Sequence, residues 1–274
     1  MAIAIDASFP VTTFKNNATG ATITSPSFTV GGNVRTLVLV YTDYTTGNDP
    51  WPISCAWVGG TPAAATAWVL RVWNSIADAT ADDGQAAAGN PSYSFTGDST
   101  TGSDKEEYFN RHHTTRIWTS TWDGTPASAQ AVVTRTGTDA NTGLVAVYSF
   151  SGALTTFGTL GQHHSSGSEI ANTTSQTMNL PITASANDSW IIGGLYWGNA
   201  GDGFSATPNG STTIDYQNQD GGNQGLVAAI RLTGTTTAST EYTIGITSSQ
   251  YAWGVVAIEV LAGATTINLP GFYV

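Results

Sequence analysis

The stretch GLVAVYSFSGA, residues 143–153, is followed far downstream by GVVAIEVLAGA, residues 254–264. Both stretches begin with glycine, end with Gly-Ala and are dense in Val, Ala and other apolar residues, which is typical of a β-strand. They lie 111 residues apart. The recurrence of one strand sequence predicts that the chain contains a duplicated β-unit.

The 111-residue offset holds without a gap from residue 117 of the first unit onward. In both units the pattern is strand, turn, strand, turn, strand. At this offset the apolar positions match, and we expect the matched residues to form the cores: Val145 with Val256, and Val147 with Ile258.

A second similarity lies further upstream. LVLVYTDYTTGND, which begins at Leu37, resembles WIIGGLYWGNAGD, which begins at Trp190, but here the offset is 153 residues. The first unit therefore carries about 42 residues that the second lacks. We place this insertion at about 74–113, where the strand pattern is interrupted.

The composition favours an all-β fold. Hydrophobic residues make up 40% of the chain and charged residues only 10%, against roughly 25% in an average soluble protein, and there are 31 glycines. We expect two tandem antiparallel β-sandwich, jelly-roll-like halves related by the internal repeat. The expected bounds are 1–155 for the first half, 156–170 for a linker, 171–264 for the second half and 265–274 for an apolar tail. A single jelly roll built from both halves is the alternative.

The charge balance argues against several partners. The net charge of −11 would repel nucleic acid and anionic lipid headgroups. The N-terminus lacks the basic and apolar regions of a secretory signal, and no stretch is long and apolar enough to span a bilayer. The single cysteine, Cys55, cannot form an intramolecular disulfide and is interpreted as a buried small hydrophobe.

The order of parts in each half, and so over nearly the whole chain, resembles a known family. The parts are an opening TITSPSFTV, then LVLVY, the aromatic strand CAWVGGTPA and the closing VAVYSFSGA. This order is similar to that of bacteriophage virion proteins made of tandem Thr/Gly/Ala-rich β-sandwiches. The resemblance implies a capsid decoration, head-fibre or tail component, made in the host cytoplasm and exposed on the particle. It implies a homo-oligomer, for example a trimer, that contacts a shell or tail protein, and it carries over no catalytic residue.

The sequence contains few of the patterns that are typical of catalytic or cofactor-binding sites. Adjacent carboxylates on an extended chain point to opposite faces, and no nucleophile elbow or phosphate-binding loop occurs, so we expect a protein that is not an enzyme and needs no cofactor. The pairs His112-His113 and His163-His164 are interpreted as loop residues rather than metal ligands. A weak alternative is a calcium site in the acidic segment that contains Asp78, Asp82 and Asp83.

Two kinds of contact are predicted. A glycan could bind to aromatic and polar residues that follow equivalent strands, namely Asp49, Trp51, Trp197, Asn199 and Asp202. The alternative function is therefore that of a carbohydrate-binding adhesin or tail receptor-binding module that recognises host-surface glycans. Assembly contacts are expected from the apolar residues of the insertion and the tail, which are Tyr93, Phe95, Tyr108, Phe109, Leu269, Phe272 and Tyr273. The tail is expected to dock on a neighbouring subunit or on the N-terminal residues.

Overall fold

A computed structural model of the chain describes residues 3–5, 11–17, 22–45, 54–76, 112–134, 140–164, 176–198, 207–219, 225–248 and 252–263. Within these ranges the regular structure is entirely β, as the composition predicts. The strands are β1 (Ala4–Ile5), β2 (Val11–Asn17), β3 (Thr22–Thr24), β4 (Phe28–Val30), β5 (Val34–Thr45), β6 (Ser54–Trp57), β7 (Val69–Ile76), β8 (His112–Thr121), β9 (Ala127–Ala129), β10 (Ala131–Thr134), β11 (Ala140–Ser151), β12 (Ala153–His164), β13 (Gln176–Thr183), β14 (Trp190–Gly198), β15 (Thr207–Pro208), β16 (Thr212–Gln219), β17 (Gly225–Leu232), β18 (Glu241–Ser248) and β19 (Ala252–Ala262).

The two halves have the same strand order. In the first half a large sheet has the order β1-β11-β5-β8-β7, with β2 also paired to β11, and a small sheet has the order β3-β10-β6. A short pair, β4 with β9, completes this half. In the second half the large sheet is β12-β19-β14-β17-β16 and the small sheet is β13-β18-β15. The shared order is what a duplication would give, and the duplication itself stays a prediction.

The ungapped 111-residue register is wrong for the faces of the large sheets. Val145 and Val147 belong to the core of the first half, whereas Val256 and Ile258 face away from the core of their own half. Because side chains alternate along a strand, a one-residue slip moves every side chain to the other face. When residues that point to the core of their own half are compared, Val145 corresponds to Val255, which lies in the core of the second half.

Each half is a sandwich with its own core between its large and its small sheet. In the first half this core is aromatic, and the ring centroid of Trp57 lies 4.7 Å from that of Trp68 and 5.9 Å from that of Trp122. In the second half it is mainly aliphatic. Its buried members are Met178, Leu180, Ile182, Ile191, Leu195, Ala228, Ile230, Leu232, Ile244, Ile246, Val255 and Ala257.

A third core joins the halves, because the other faces of the two large sheets pack against each other. Gly194 marks a close approach between them, since a Cβ atom at this position would lie 2.6 Å from Cγ1 of Val40. Fully buried residues from both halves meet here, including Val38, Val40, Ile117, Ile192 and Val256. The molecule is therefore one stack of sheets in the order small, large, large, small.

Hydrogen bonds cross the third core as well. The hydroxyl of Thr42 donates to the carbonyl oxygen of Leu195 at 3.1 Å. The hydroxyl of Tyr148 donates to Oδ2 of Asp215 at 3.0 Å, and Nε of Arg231 donates to Oδ1 of the same carboxylate at 2.8 Å. These bonds fix the relative position of the two sheets because each requires a specific alignment of donor and acceptor.

The linker predicted at 156–170 is wrong over residues 156–164, which lie in β12 and pair with β19. The Thr/Gly-rich sequence suits an edge strand, and the pairing contains two irregularities. The halves are instead joined at Gly152, whose φ of 67° lies in the left-handed region that favours glycine. The rest of the predicted linker, residues 165–170, lies outside the described residues.

Most of the extra length of the first half, but not all of it, falls inside the predicted range 74–113, since the connection 58–68 between β6 and β7 is also longer than its counterpart 209–211. Strands β7 and β8 are neighbours, and Ile76 pairs with His113. The segment 77–111 connects them and lies outside the described residues. The corresponding connection in the second half, between β16 and β17, is the much shorter segment 220–224.

Candidate interaction surface at the loop end

Many strands of both halves begin or terminate at the same end of the stack, and we call this end the loop end. The pairing places the strand ends here side by side, for example Gly198 next to Ala252 and Ile76 next to His113. The chain connects these strand ends through segments that lie outside the described residues. These segments are 18–21, 46–53, 77–111, 135–139, 165–175, 199–206, 220–224 and 249–251.

The two halves point their loop ends in the same direction. Thr42, near the loop end of β5, bonds to Leu195, near the loop end of β14. Thr36, near the other end of β5, donates to the carbonyl oxygen of Leu154 at 2.6 Å, near the start of β12. We call this opposite end the turn end, and its described connections include 31–33, 122–126, 184–189 and 233–240.

The glycan candidates belong to the loop end by their place in the chain. Trp197 was predicted to follow its strand, and this is wrong: it is the next-to-last residue of β14, and its backbone pairs with Trp253 of β19. Asp49 and Trp51 fall in segment 46–53, which follows β5. Asn199 and Asp202 fall in segment 199–206, which follows β14. These last four residues lie outside the described residues, so their role stays a prediction.

The histidine pairs lie in strands rather than in loops. His112 and His113 begin β8, and His163 and His164 end β12, so both pairs are at the loop end but in different sheets. The interpretation as loop residues is therefore wrong. Among the described residues there is no group of three or more His, Cys, Asp or Glu side chains that could hold a metal ion.

The calcium and assembly candidates lie outside the described residues. Asp78, Asp82, Asp83, Tyr93, Phe95, Tyr108 and Phe109 fall in segment 77–111, and Leu269, Phe272 and Tyr273 follow the last described residue, Gly263. Their predicted contacts are not tested by the described residues.

A buried polar cluster that the sequence analysis missed lies in the first half near the loop end. Arg116 of β8 is 4% exposed, and its guanidinium carbon lies 5.1 Å from the ring centroid of Trp73. The hydroxyl of Tyr41 donates to Asp43, which is fully buried. Burial lowers the pKa of Arg116 to about 9, against the opposing effect of Asp43 and then of Tyr41, so the guanidinium stays charged at neutral pH.

The second half has no such cluster at the corresponding pair of residues. In the first half, Val40 lies against Gly194 of the second half, and the next residue of β5, Tyr41, pairs with Arg116. One residue beyond Gly194, Leu195 pairs with Ala228, and both are fully buried in an aliphatic core. The halves therefore differ in chemistry under the loop end. The one sequence signal was a lone arginine in the otherwise neutral run TTRIWTSTW.

The one thiol has no features of a reactive group. Cys55 lies in β6, is partly buried and packs against the core of the first half. Burial raises the pKa of its thiol well above the ordinary value, so the thiolate that would act as nucleophile is not populated at neutral pH. This agrees with its interpretation as a small hydrophobe.

Comparison with known proteins identifies no relative: no family model, no curated protein and no solved structure matches the chain. Among the described residues there is also no helix that is long and apolar enough to cross a membrane.

Proposed function

We propose that this chain is a non-enzymatic structural protein of a virion, a capsid-surface decoration or head-fibre protein, that presents its loop end to a partner. The observation that carries the proposal is that strands of both halves end together at the loop end of a closely packed stack, where the chain makes eight connections, among them the 35-residue segment 77–111. Loops that a rigid scaffold presents together are a common form of binding surface.

The packing between the halves supports this role. The third core is buried and mainly apolar, and hydrogen bonds such as that from Tyr148 to Asp215 cross it. Because packed interiors resist deformation, the two halves hold their loop ends in a constant relation. A partner would therefore meet two sets of strand ends held in a fixed relation and would not have to order two independent domains, which lowers the entropic cost of binding.

The composition is compatible with many protein contacts. Only 10% of the residues are charged. Charged residues are depleted at the centre of protein interfaces, since a charge that loses its water must find a partner there. The neutral polar surface thus suits contacts with further copies of the chain and with a shell or tail protein.

A second candidate function is recognition of a host-surface glycan. It is favoured by the backbone pairing of Trp197 with Trp253 at the loop end, close to the segment that holds Asn199 and Asp202. An aromatic ring beside polar side chains offers a sugar both an apolar face and hydrogen-bond partners. In the first half, Trp51 lies in segment 46–53, which follows β5, whereas Trp197 lies within β14.

The virion proposal is tested by asking whether the native protein purifies with particles. Mass spectrometry of gradient-purified particles from the organism that encodes the chain should find it at a constant ratio to the shell protein. Replacing residues 78–108 with a short Gly-Ser bridge should then reduce attachment to the particle while the β-sheet spectrum is retained, because loop shortening changes closure entropy little. Val58→Ser, at the turn end, is the matched control and should leave attachment unchanged. A protein that is absent from particles contradicts the proposal.

The glycan alternative has a separate test. Binding to a glycan array should be lost in Trp51→Ala or Trp197→Ala and kept in Val58→Ser. An array without any specific signal contradicts this second function and leaves the first untouched.

A further inference from the structure

A strip formed by two outer strands runs along one side of the stack, where the halves meet. Strands β7 and β12 are the outer strands of the two large sheets, and each has one edge without a neighbouring strand among the described residues. They lie side by side, since the guanidinium carbon of Arg71 in β7 is 5.0 Å from the ring centroid of Phe157 in β12. We call this strip the seam.

The seam exposes large apolar side chains. Val69 of β7 is 44% exposed, and Leu154 and Leu160 of β12 are 39% and 43% exposed. These are three of the five exposed large hydrophobic residues in the described part of the chain. Edge strands that combine free backbone groups with apolar side chains invite another strand, and natural proteins usually cover them.

The C-terminal segment of the same chain leaves the stack beside the seam. The backbone N–H of Gly263 donates to the carbonyl oxygen of Gly152 at 2.7 Å, next to the first residue of β12. Residues 264–274 follow, with the sequence ATTINLPGFYV. Extended at roughly 3.3 Å per residue, a segment of this length can follow β12 over nearly its whole length.

The composition of this segment matches the seam. It has no Asp, Glu, Lys or Arg, and Ile267 and Leu269 stand two apart, so both point to the same face of an extended chain. Pro270 is acceptable at a sheet edge, where its missing N–H faces away from the ladder. A tethered segment also has an effective concentration of roughly millimolar, which favours it over a second copy.

We propose that residues 264–274 dock in cis along the seam between β7 and β12 and cover Val69, Leu154 and Leu160. The inference does not depend on the proposed function. It differs from the expectation that this tail docks on a neighbouring subunit or on the N-terminal residues, which the described residues do not test.

Paired cysteines test the position of the segment. In a Cys55→Ala background, Leu160→Cys is combined in turn with Ile267→Cys, Leu269→Cys and Phe272→Cys in the full-length protein. Mild oxidation should give an intramolecular disulfide in at least one combination, since a bond requires Cα atoms within about 7 Å. The control places the cysteine at Tyr216, which is 40% exposed on β16 at the other side of the stack, and should give less than a tenth of that yield. No bond from position 160, equal yields from both positions, or bonds mainly between copies would each overturn the proposal.

Hydrogen exchange gives an independent readout. Leu160→Asp should speed amide exchange in residues 265–274 by about tenfold, whereas Tyr216→Asp should leave it unchanged. Because both side chains are exposed, neither substitution should unfold the stack. If exchange of the segment in the unaltered protein is already as fast as in a free peptide, the docking does not occur.

Discussion

Glu259→Gln should destabilise the folded protein by about 3–6 kcal/mol at neutral pH. The Glu259 carboxylate in β19 is fully buried and accepts hydrogen bonds from the backbone N–H of Thr159 at 2.9 Å and of Ala186 at 3.2 Å. It also accepts from Ser185, through its N–H at 2.9 Å and its hydroxyl at 2.6 Å. A glutamine places an NH₂ group against some of these donors and removes the charge. Two charge-assisted bonds, at about 1.5–3 kcal/mol each, would be lost.

The size of the effect is measured by urea unfolding followed by tryptophan fluorescence. Glu241→Gln is the matched control, because Glu241 is exposed at the start of β18, and it should change the free energy of unfolding by less than about 0.5 kcal/mol. A loss below about 1 kcal/mol for Glu259→Gln would refute the reasoning, since it would mean that the donors are satisfied without the charge.

The pH dependence gives a second check with a defined sign. Burial alone would raise the pKa of Glu259, but the hydrogen bonds from Ser185, Thr159 and Ala186 outweigh it and hold the pKa below the ordinary value. A carboxyl with a lowered folded pKa stabilises the fold above its unfolded pKa of about 4.3 and loses that contribution as the pH falls through the folded value. The stability difference between the unaltered protein and Glu259→Gln should therefore shrink below about pH 4. A constant difference from pH 7 to pH 3 would contradict this assignment.

Three further substitutions probe the packing of the halves and the buried cluster. Gly194→Val should destabilise the protein by more than about 2 kcal/mol in urea unfolding, because its side chain would clash with Val40 across the third core. Tyr148→Phe should cost about 1–3 kcal/mol, since Asp215 loses a donor, and a double-mutant cycle with Asp215→Asn should show a coupling above 0.5 kcal/mol. A cycle that is purely additive would mean that this bond does not link the halves. Arg116→Met should cost about 3–5 kcal/mol at pH 7, measured by thermal or urea unfolding, because the buried Asp43 loses its countercharge; a neutral effect would show that the pair contributes nothing net.

The sequence predicted the fold class because strand formers and turn residues dominate throughout the chain. It also placed most of the extra length of the first half in the hairpin of β7 and β8, since two different offsets bracket it, but it missed the longer connection between β6 and β7. The sequence did not predict the register of the strands. In runs such as LVLVY, where Leu37, Val38, Leu39 and Val40 are all fully buried, both faces are apolar, so the pattern does not tell which face meets which core. Such runs are themselves a sign of burial on both sides, which the third core explains.

Other features depended on tertiary contacts that no local pattern encodes. Residues 156–164 contain Thr and Gly in a proportion typical of a linker, yet pairing with β19 makes them a strand. The cluster around Arg116 forms because β5, β7 and β8 bring Tyr41, Asp43 and Trp73 together from distant parts of the chain. The predicted glycan and assembly residues were chosen for chemistry and position, and most of them lie outside the described residues.

The unequal hairpins of the two halves also have a consequence for protein engineering. Strands β7 and β8 keep their pairing although the long segment 77–111 joins them, while β16 and β17 reach the same arrangement through only residues 220–224. The ladder thus does not depend on the length of the connection. Foreign peptides inserted at residues 220–224 should be displayed at the same loop end as the natural segment but at the opposite side of the stack, at a spacing fixed by the stack, so the chain can serve as a two-position scaffold for peptide grafting.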